Sequence, residues 1–109
     1  MSGDSVLGSF EEQVMLAVVH AHEEAYGMAI RREIEERTGR EVAIGAVYAT
    51  LDRLEAKGLL SSARPRGDGP SRRLFQLTMG GVRALAETRL LHEQLWRGVD
   101  LTRLARGKA

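Results

Sequence analysis

Four arginines lie close together in the second half of the chain, around a segment rich in turn-forming residues. Arg64 and Arg66 precede the sequence Gly-Asp-Gly-Pro-Ser, and Arg72 and Arg73 follow it. Only Asp68 opposes their charge within this stretch. Guanidinium groups bind phosphate oxygens and fit a narrow minor groove, although most charge runs are simply a solvated surface. Because these arginines flank a tight loop, the sequence favours contact with a nucleic-acid backbone.

A second group of residues has helical spacing and unusually small side chains. Gly45, Ala46 and Ala49 fall on one side of a helix predicted over residues 44–57, opposite an apolar stripe. Small side chains let a helix backbone approach base edges and thymine methyl groups. The alternative interpretation is a tight contact between two helices of the protein itself. The sequence leaves both open and favours the first.

Polar side chains border this small face. Tyr48 and Thr50 carry hydroxyl groups suited to phosphate oxygens, and Arg53 is the one long donor on that side. The complete set of candidate DNA contacts is Gly45, Ala46, Tyr48, Ala49, Thr50, Arg53, Arg64, Arg66, Arg72 and Arg73.

The sequence offers little for catalysis or metal binding. The histidines are His20, His22 and His92, and there is no cysteine. His20 and His22 are two positions apart on a predicted helix, so their rings point away from each other. No His-Glu-x-x-His motif, glycine-rich phosphate loop or nucleophile elbow is present. We therefore expect no enzymatic activity, no cofactor and no metal.

Length and composition indicate one small domain. The chain has 109 residues and a formal net charge of +1, so the position of the charges matters more than their sum. The longest apolar run, residues 14–19, is too short to span a bilayer. The first residues do not resemble a signal peptide. We expect a cytoplasmic protein that makes no membrane contact.

Helix and strand signals alternate in a recognisable order. Ser9 and Glu12 fit a capping box for a first helix that continues to about residue 24. Helical spacing also covers residues 26–38 and 44–57, and strand candidates at 59–64 and 72–77 enclose the turn-rich segment. Thr78 is a suitable N-cap for a last helix that continues to about residue 105.

This order predicts a mainly α fold with a small β-hairpin. We expect a winged helix-turn-helix domain over residues 1–78 and a long C-terminal dimerisation helix over residues 79–109, packed on the same domain. In such folds the helix that precedes the hairpin enters the major groove. The small-residue face and the arginine-bearing loop then belong to the two elements that touch DNA.

Surplus apolar residues on the first and last helices point to a second subunit. Both helices are apolar on two sides, and a domain of this size covers only one of them. The expected interface residues, some of which would also line an effector site, are Met15, Val19, Leu91, Leu95 and Trp96.

Several segments together resemble the PadR-like transcriptional regulators, in particular the short members with one C-terminal helix. The most specific is Gly-Ala-Val-Tyr-Ala-Thr-Leu at residues 45–51, beside Ala-Tyr-Gly-Met-Ala-Ile at 25–30, Lys-Gly-Leu-Leu at 57–60 and Arg-Arg-Leu-Phe-Gln-Leu-Thr at 72–78. The chain departs from the family pattern at Ala49, where proline is common, and at residues 72–75, which read Arg-Arg-Leu-Phe instead of the commoner Arg-Lys-Tyr-Tyr.

The resemblance implies a homodimeric repressor that binds an inverted repeat in double-stranded DNA. It also implies that a small aromatic effector between the subunits would contact Trp96, although a dimer-core role for this tryptophan is the simpler interpretation. Two alternatives remain: a winged helix used only for protein–protein contact, and a small-molecule sensor without DNA affinity. Salt-dependent DNA binding separates the first from a repressor, and ligand-dependent Trp96 fluorescence without DNA binding would indicate the second.

Overall fold

The fold is three helices, a two-stranded hairpin and two further helices. A computed structural model describes residues 6–65 and 73–107. The elements are α1 (Ser9–Ala21), a 3₁₀ turn (His22–Glu24), α2 (Gly27–Thr38), α3 (Ile44–Ala56), β1 (Leu60–Ala63), β2 (Leu74–Leu77), α4 (Met79–Trp96) and α5 (Leu101–Ala105). The predicted fold class is confirmed, whereas Arg66 and Arg72 lie outside the described residues.

The capping box of α1 lies one residue earlier than the sequence suggested. Gly8 is the N-cap, and its N–H donates to Glu11 Oε1 at 2.9 Å. Ser9 is therefore the first helical residue, and Glu12 does not close the cap. Glu12 Oε1 instead lies 3.0 Å from Nε2 of His92 on α4. The prediction failed because Ser9 and Gly8 both suit a helix start, and their order alone does not decide between them.

A short turn joins α2 to α3 and sets the angle between them. Gly39 ends α2 in the left-handed conformation with φ 73°, as expected for a residue just past a helix. Glu35 Oε2 accepts a hydrogen bond from the Val42 N–H at 2.9 Å and thereby holds the turn against α2. This backbone hydrogen bond, together with Arg31, lowers the pKa of Glu35 below its ordinary value.

The core is formed where α1, α2 and α3 meet the hairpin. Its largest fully buried apolar side chains are those of Met15, Ile30, Leu51, Leu54, Leu60, Val14 and Val47. Met15 is therefore not the interface residue that the sequence predicted, because the protomer's own core encloses it completely. The surplus apolar residues of α1 are Leu16 and Val19, each 41% exposed.

The hairpin is antiparallel and α4 begins directly after it. Leu60 pairs with Leu77 and Ala63 pairs with Leu74 at the two ends of the ladder. Thr78 caps α4 as predicted: its side chain accepts from the Gly81 N–H at 3.0 Å. A Cβ at Gly81 would overlap the carbonyl oxygen of Leu59, so this glycine permits the close docking of α4 on the hairpin.

The single long C-terminal helix predicted from the sequence is wrong. α4 ends at Trp96, and α5 begins after a break in which Gly98 has φ 83°. Asp100 starts the new helix, since its side chain accepts from the Arg103 N–H at 3.1 Å. Gly98 and Asp100 were the signals for this break, because glycine ends helices and aspartate caps them.

The residues described by the structure contain no helix that is long and apolar enough to cross a membrane. Within the same ranges, no group of three or more acidic or histidine side chains is arranged to hold a metal ion.

Candidate nucleic-acid interface

The outward face of α3 is small and open. Gly45, Ala46 and Ala49 are all exposed, and no other described part of the chain lies within 4 Å of the position that a Cβ of Gly45 would occupy. At Gly45, the alternative of a tight helix–helix contact therefore finds no partner among the described residues. Asp52 and Arg53 continue the exposed side toward the end of the helix.

The opposite side of α3 packs into the core and includes one of the expected DNA contacts. Val47, Leu51 and Leu54 are fully buried. Thr50 is only 3% exposed, and its Oγ1 accepts from Arg53 Nη2 at 3.2 Å. The sequence placed Thr50 beside the exposed face, but burial shields its hydroxyl group. A one-residue rotation of about 100° from Ala49 is enough to move a side chain from the surface into the core.

Tyr48 connects α3 to the beginning of α2. Its ring lies where a Cβ of Gly27 would be, and the side chain is half-buried against the core. Glycine at position 27 therefore allows α2 to approach the tyrosine closely. Tyr48 packs between α2 and α3, and its phosphate contact stays a prediction.

Two cations at the C-terminal end of α3, Arg53 within the helix and Lys57 just after it, share one carboxylate on α1. Glu11 Oε2 lies 2.8 Å from Lys57 Nζ and 3.6 Å from Arg53 Nε. Burial alone would raise the pKa of Glu11, but hydrogen bonds from Lys57 and the Gly8 N–H, together with both positive charges, hold it below the ordinary value. The Arg53 side chain is still 54% exposed. It remains accessible to a phosphate or a base edge.

The hairpin carries one described arginine in an unexpected environment. Arg73 Nη1 lies 3.1 Å from Asp52 Oδ1, and Arg73 Nη2 lies 2.7 Å from Glu55 Oε1. Its guanidinium carbon is 4.7 Å from the centre of the Phe75 ring. The sequence grouped Arg73 with the phosphate contacts, but the structure directs its charge toward two carboxylates of α3. Arg64 follows β1 and is exposed.

Sequence reasoning missed the acidic residues that organise this surface. Glu11, Asp52 and Glu55 each pair with a cation on another element, and Ser62 on β1 also donates to Glu55. Asp52 and Glu55 are three positions apart and so share one side of α3. That spacing was a signal for a partner, but it did not identify which cation would supply it.

Apolar side chains remain uncovered on α4 and α5. Leu95 is 68% exposed and Trp96 is 57% exposed, whereas Leu91 is half-buried. The other exposed apolar side chains of this C-terminal surface are Met79, Val82, Leu90, Val99, Leu101 and Leu104. Val19 of α1 is exposed as well. Of the expected interface residues, Val19, Leu95 and Trp96 are thus available, and Met15 is not.

A family model for the PadR-like transcriptional regulators matches residues 15–87. This chain belongs to the PadR-like family. The match includes α2, α3 and the hairpin, which together form the candidate interface.

Similarity to individual proteins supports the same assignment for this PadR-like chain. It is 41% identical to the transcriptional regulator Rv3488 of Mycobacterium tuberculosis over 88 residues, which are 79% of this chain and 81% of that protein. It is 29% identical to RosR of H. salinarum, with a TM-score of 0.65 and coverage of 91% and 86% of the two chains.

A more distant neighbour shows the fold alone. F93 from STIV, a winged-helix DNA-binding protein, is 17% identical, with a TM-score of 0.65 and coverage of 86% of this chain and 99% of F93. The expected winged helix is therefore confirmed. Family and fold are those of transcriptional regulators.

Proposed function

We propose that this PadR-like protein binds double-stranded DNA as a homodimer and represses transcription. The observation that carries the proposal is the open, small-residue face of α3 beside the hairpin. A regulator of this kind works next to DNA, which agrees with the cytoplasmic location expected from the sequence.

The contact that we propose is an insertion of the N-terminal half of α3 into the major groove. Gly45 and Ala49 let the backbone come close to base edges, and Arg53 reaches phosphate or a base. Among the described residues, no side chain caps the first amides of α3. Those amides are therefore suited to a backbone phosphate.

The function is tested by fluorescence anisotropy with labelled genomic fragments that the protein selects from a pool. We expect binding whose affinity falls steeply as salt rises, because phosphate contacts release counterions. Absence of binding at low salt would leave the protein–protein module as the better interpretation.

Removal of the hairpin arginines should reduce the salt dependence of binding. Changing Arg64, Arg66 and Arg72 together to alanine should flatten the slope of log affinity against log salt by about 0.9 for each phosphate that the hairpin no longer binds. Affinity should fall on all duplexes, because phosphates carry no sequence information. The matched triple lysine variant keeps the charge and should keep the slope. An unchanged slope in the alanine variant would show that this part of the hairpin does not touch DNA.

The operator should be an inverted repeat. A two-fold dimer presents two recognition helices related by symmetry, so half-site centres should lie about one helical turn, roughly 10 base pairs, or a multiple of it apart. Footprinting of selected fragments checks the spacing. Protection of one unrepeated half-site by one protomer would contradict both the symmetry and the homodimer.

We further propose that a small aromatic effector releases the dimer from DNA. Its support is the exposed ring of Trp96, which would lie at or near the subunit boundary. Flat aromatic ligands stack on such rings and change their fluorescence. Titration of aromatic compounds against Trp96 emission, with and without operator, tests this part separately from DNA binding.

A further inference from the structure

We infer that Arg73 is a positioning residue, which fixes the hairpin against the recognition helix α3 instead of contacting phosphate. The inference deepens the proposed function and rests on it. It concerns five residues, which we call the arginine–carboxylate cluster. They are Asp52 and Glu55 on α3, Ser62 on β1, Arg73 directly before β2, and Phe75 on β2.

The geometry of the arginine–carboxylate cluster uses both terminal nitrogens of the guanidinium. Nη1 contacts Asp52 Oδ1 at 3.1 Å and Nη2 contacts Glu55 Oε1 at 2.7 Å. The ring of Phe75, itself 2% exposed, covers one face of the group. Ser62 Oγ lies 3.0 and 2.9 Å from the two oxygens of Glu55, which orients this carboxylate. The Arg73 side chain is 18% exposed.

These contacts oppose a role in phosphate binding. One positive charge lies between two negative charges, so the arginine–carboxylate cluster carries a net negative charge when all three groups are ionised. A phosphate that approached Arg73 would also meet Asp52 and Glu55, and like charges at close range are repulsive. The arginine would have to leave both partners and the Phe75 ring to reach DNA.

The position of Arg73 along the hairpin explains what the contacts accomplish. It comes one residue before Leu74, which forms the last pair of the ladder toward the tip. At the other end, Thr78 Oγ1 donates to the Gly58 carbonyl at 2.6 Å and anchors the base of the hairpin. The arginine–carboxylate cluster therefore fastens the tip end of β2 to α3. It thereby also fixes where Ala63, the ladder partner of Leu74, lies relative to α3.

A glutamate-to-glutamine exchange separates positioning from phosphate contact by the sign of its effect. Glu55→Gln removes a negative charge near the DNA. If Arg73 binds phosphate, that change frees the arginine and strengthens binding. If Arg73 positions the hairpin, binding to the selected site weakens by about tenfold, which corresponds to about 1.4 kcal/mol. Glu41→Gln, at an exposed acid just before α3, is the matched control and should leave affinity equal or slightly higher.

Each variant is measured on the selected duplex and on a scrambled duplex of the same length and composition. We expect Glu55→Gln to weaken binding to the selected duplex alone, because loose binding to any sequence depends on charge more than on the hairpin angle. Arg73→Gln should weaken selected-site binding with an unchanged salt slope, whereas removal of a phosphate-binding group would lower the slope by about 0.9. Thermal unfolding of each variant, followed by circular dichroism, sets a binding temperature at which all of them are folded.

The outcomes are distinguishable. Stronger selected-site binding by Glu55→Gln, or a lower salt slope for Arg73→Gln, would overturn the positioning role and leave DNA binding intact. Equal losses on both duplexes would also overturn it, since they indicate a general defect. If the unchanged protein binds neither duplex, the proposed function fails and the positioning role fails with it.

Discussion

Ala49→Glu should abolish binding to the selected duplex while the protein stays folded. Ala49 is exposed at the centre of the small face of α3, and a carboxylate there would point at the base edges and phosphates of the groove. Like charges held together at an interface cost several kcal/mol, so we expect a loss of at least about a hundredfold, or ~2.7 kcal/mol. The free energy of unfolding should change by less than about 0.5 kcal/mol, as is usual for surface substitutions.

Anisotropy titration and urea unfolding check the two halves of this prediction. Ala49→Gln has nearly the same length as the glutamate variant but no charge, so it should lose less affinity and shows how much of the effect is electrostatic. A glutamate variant that unfolds would mean that Ala49 is buried and that the two faces of α3 are wrongly assigned. Full binding by a folded glutamate variant would show that this face of α3 does not enter the major groove.

Leu95→Glu combined with Trp96→Glu should convert a dimer into monomers or aggregates and eliminate operator binding. These side chains are 68% and 57% exposed, and Leu101 and Leu104 of α5 are exposed as well. Soluble monomers rarely expose contiguous apolar patches of more than a few hundred Å². A second copy of α4 and α5 is the simplest cover, so we expect the unchanged protein to be dimeric at micromolar concentration.

Sedimentation velocity at several concentrations measures this effect directly. Trp96→Ala alone should destabilise the dimer by about 3 kcal/mol if the ring is fully buried between subunits. Met28→Glu, which alters a 47% exposed apolar residue on α2, is a control that should leave the dimer intact. Leu91 is less suited to this test, because it is half-buried in its own protomer and its replacement would affect folding as well as assembly. A stable monomer that retains full operator binding would refute the dimer and the effector site that depends on it.

Much of the fold was predictable because its signals are local. Helical spacing identified α1, α2 and α3, and the turn-rich segment between two short strands identified the hairpin. Gly39 ends α2 and Thr78 begins α4 through contacts within a few residues, so both helix ends could be predicted from the local sequence. The small face of α3 was likewise predicted, since Gly45, Ala46 and Ala49 share a side of any helix that contains them.

Local signals misled where two of them competed. Ser9 suits an N-cap, yet Gly8 holds that place because Glu11 reaches back to its N–H. The end of α4 was set about nine residues too late (predicted about residue 105, observed Trp96), although Gly98 and Asp100 marked the break. At α4 the apolar pattern continued past the true boundary. In both cases the boundary depends on the hydrogen bonds at the helix end more than on periodicity.

The tertiary structure alone decided which residues are buried and which charges meet. A helix with two apolar sides does not reveal which side faces the core; packing placed Met15 inside and left Val19 outside. Likewise, Arg73 reads as one of four equivalent arginines until the fold brings it to Asp52 and Glu55, which are 21 and 18 positions away. Sequence spacing fixes the directions of side chains within one element, but a contact between elements depends on how they dock. Docking is determined by the close packing of the whole core.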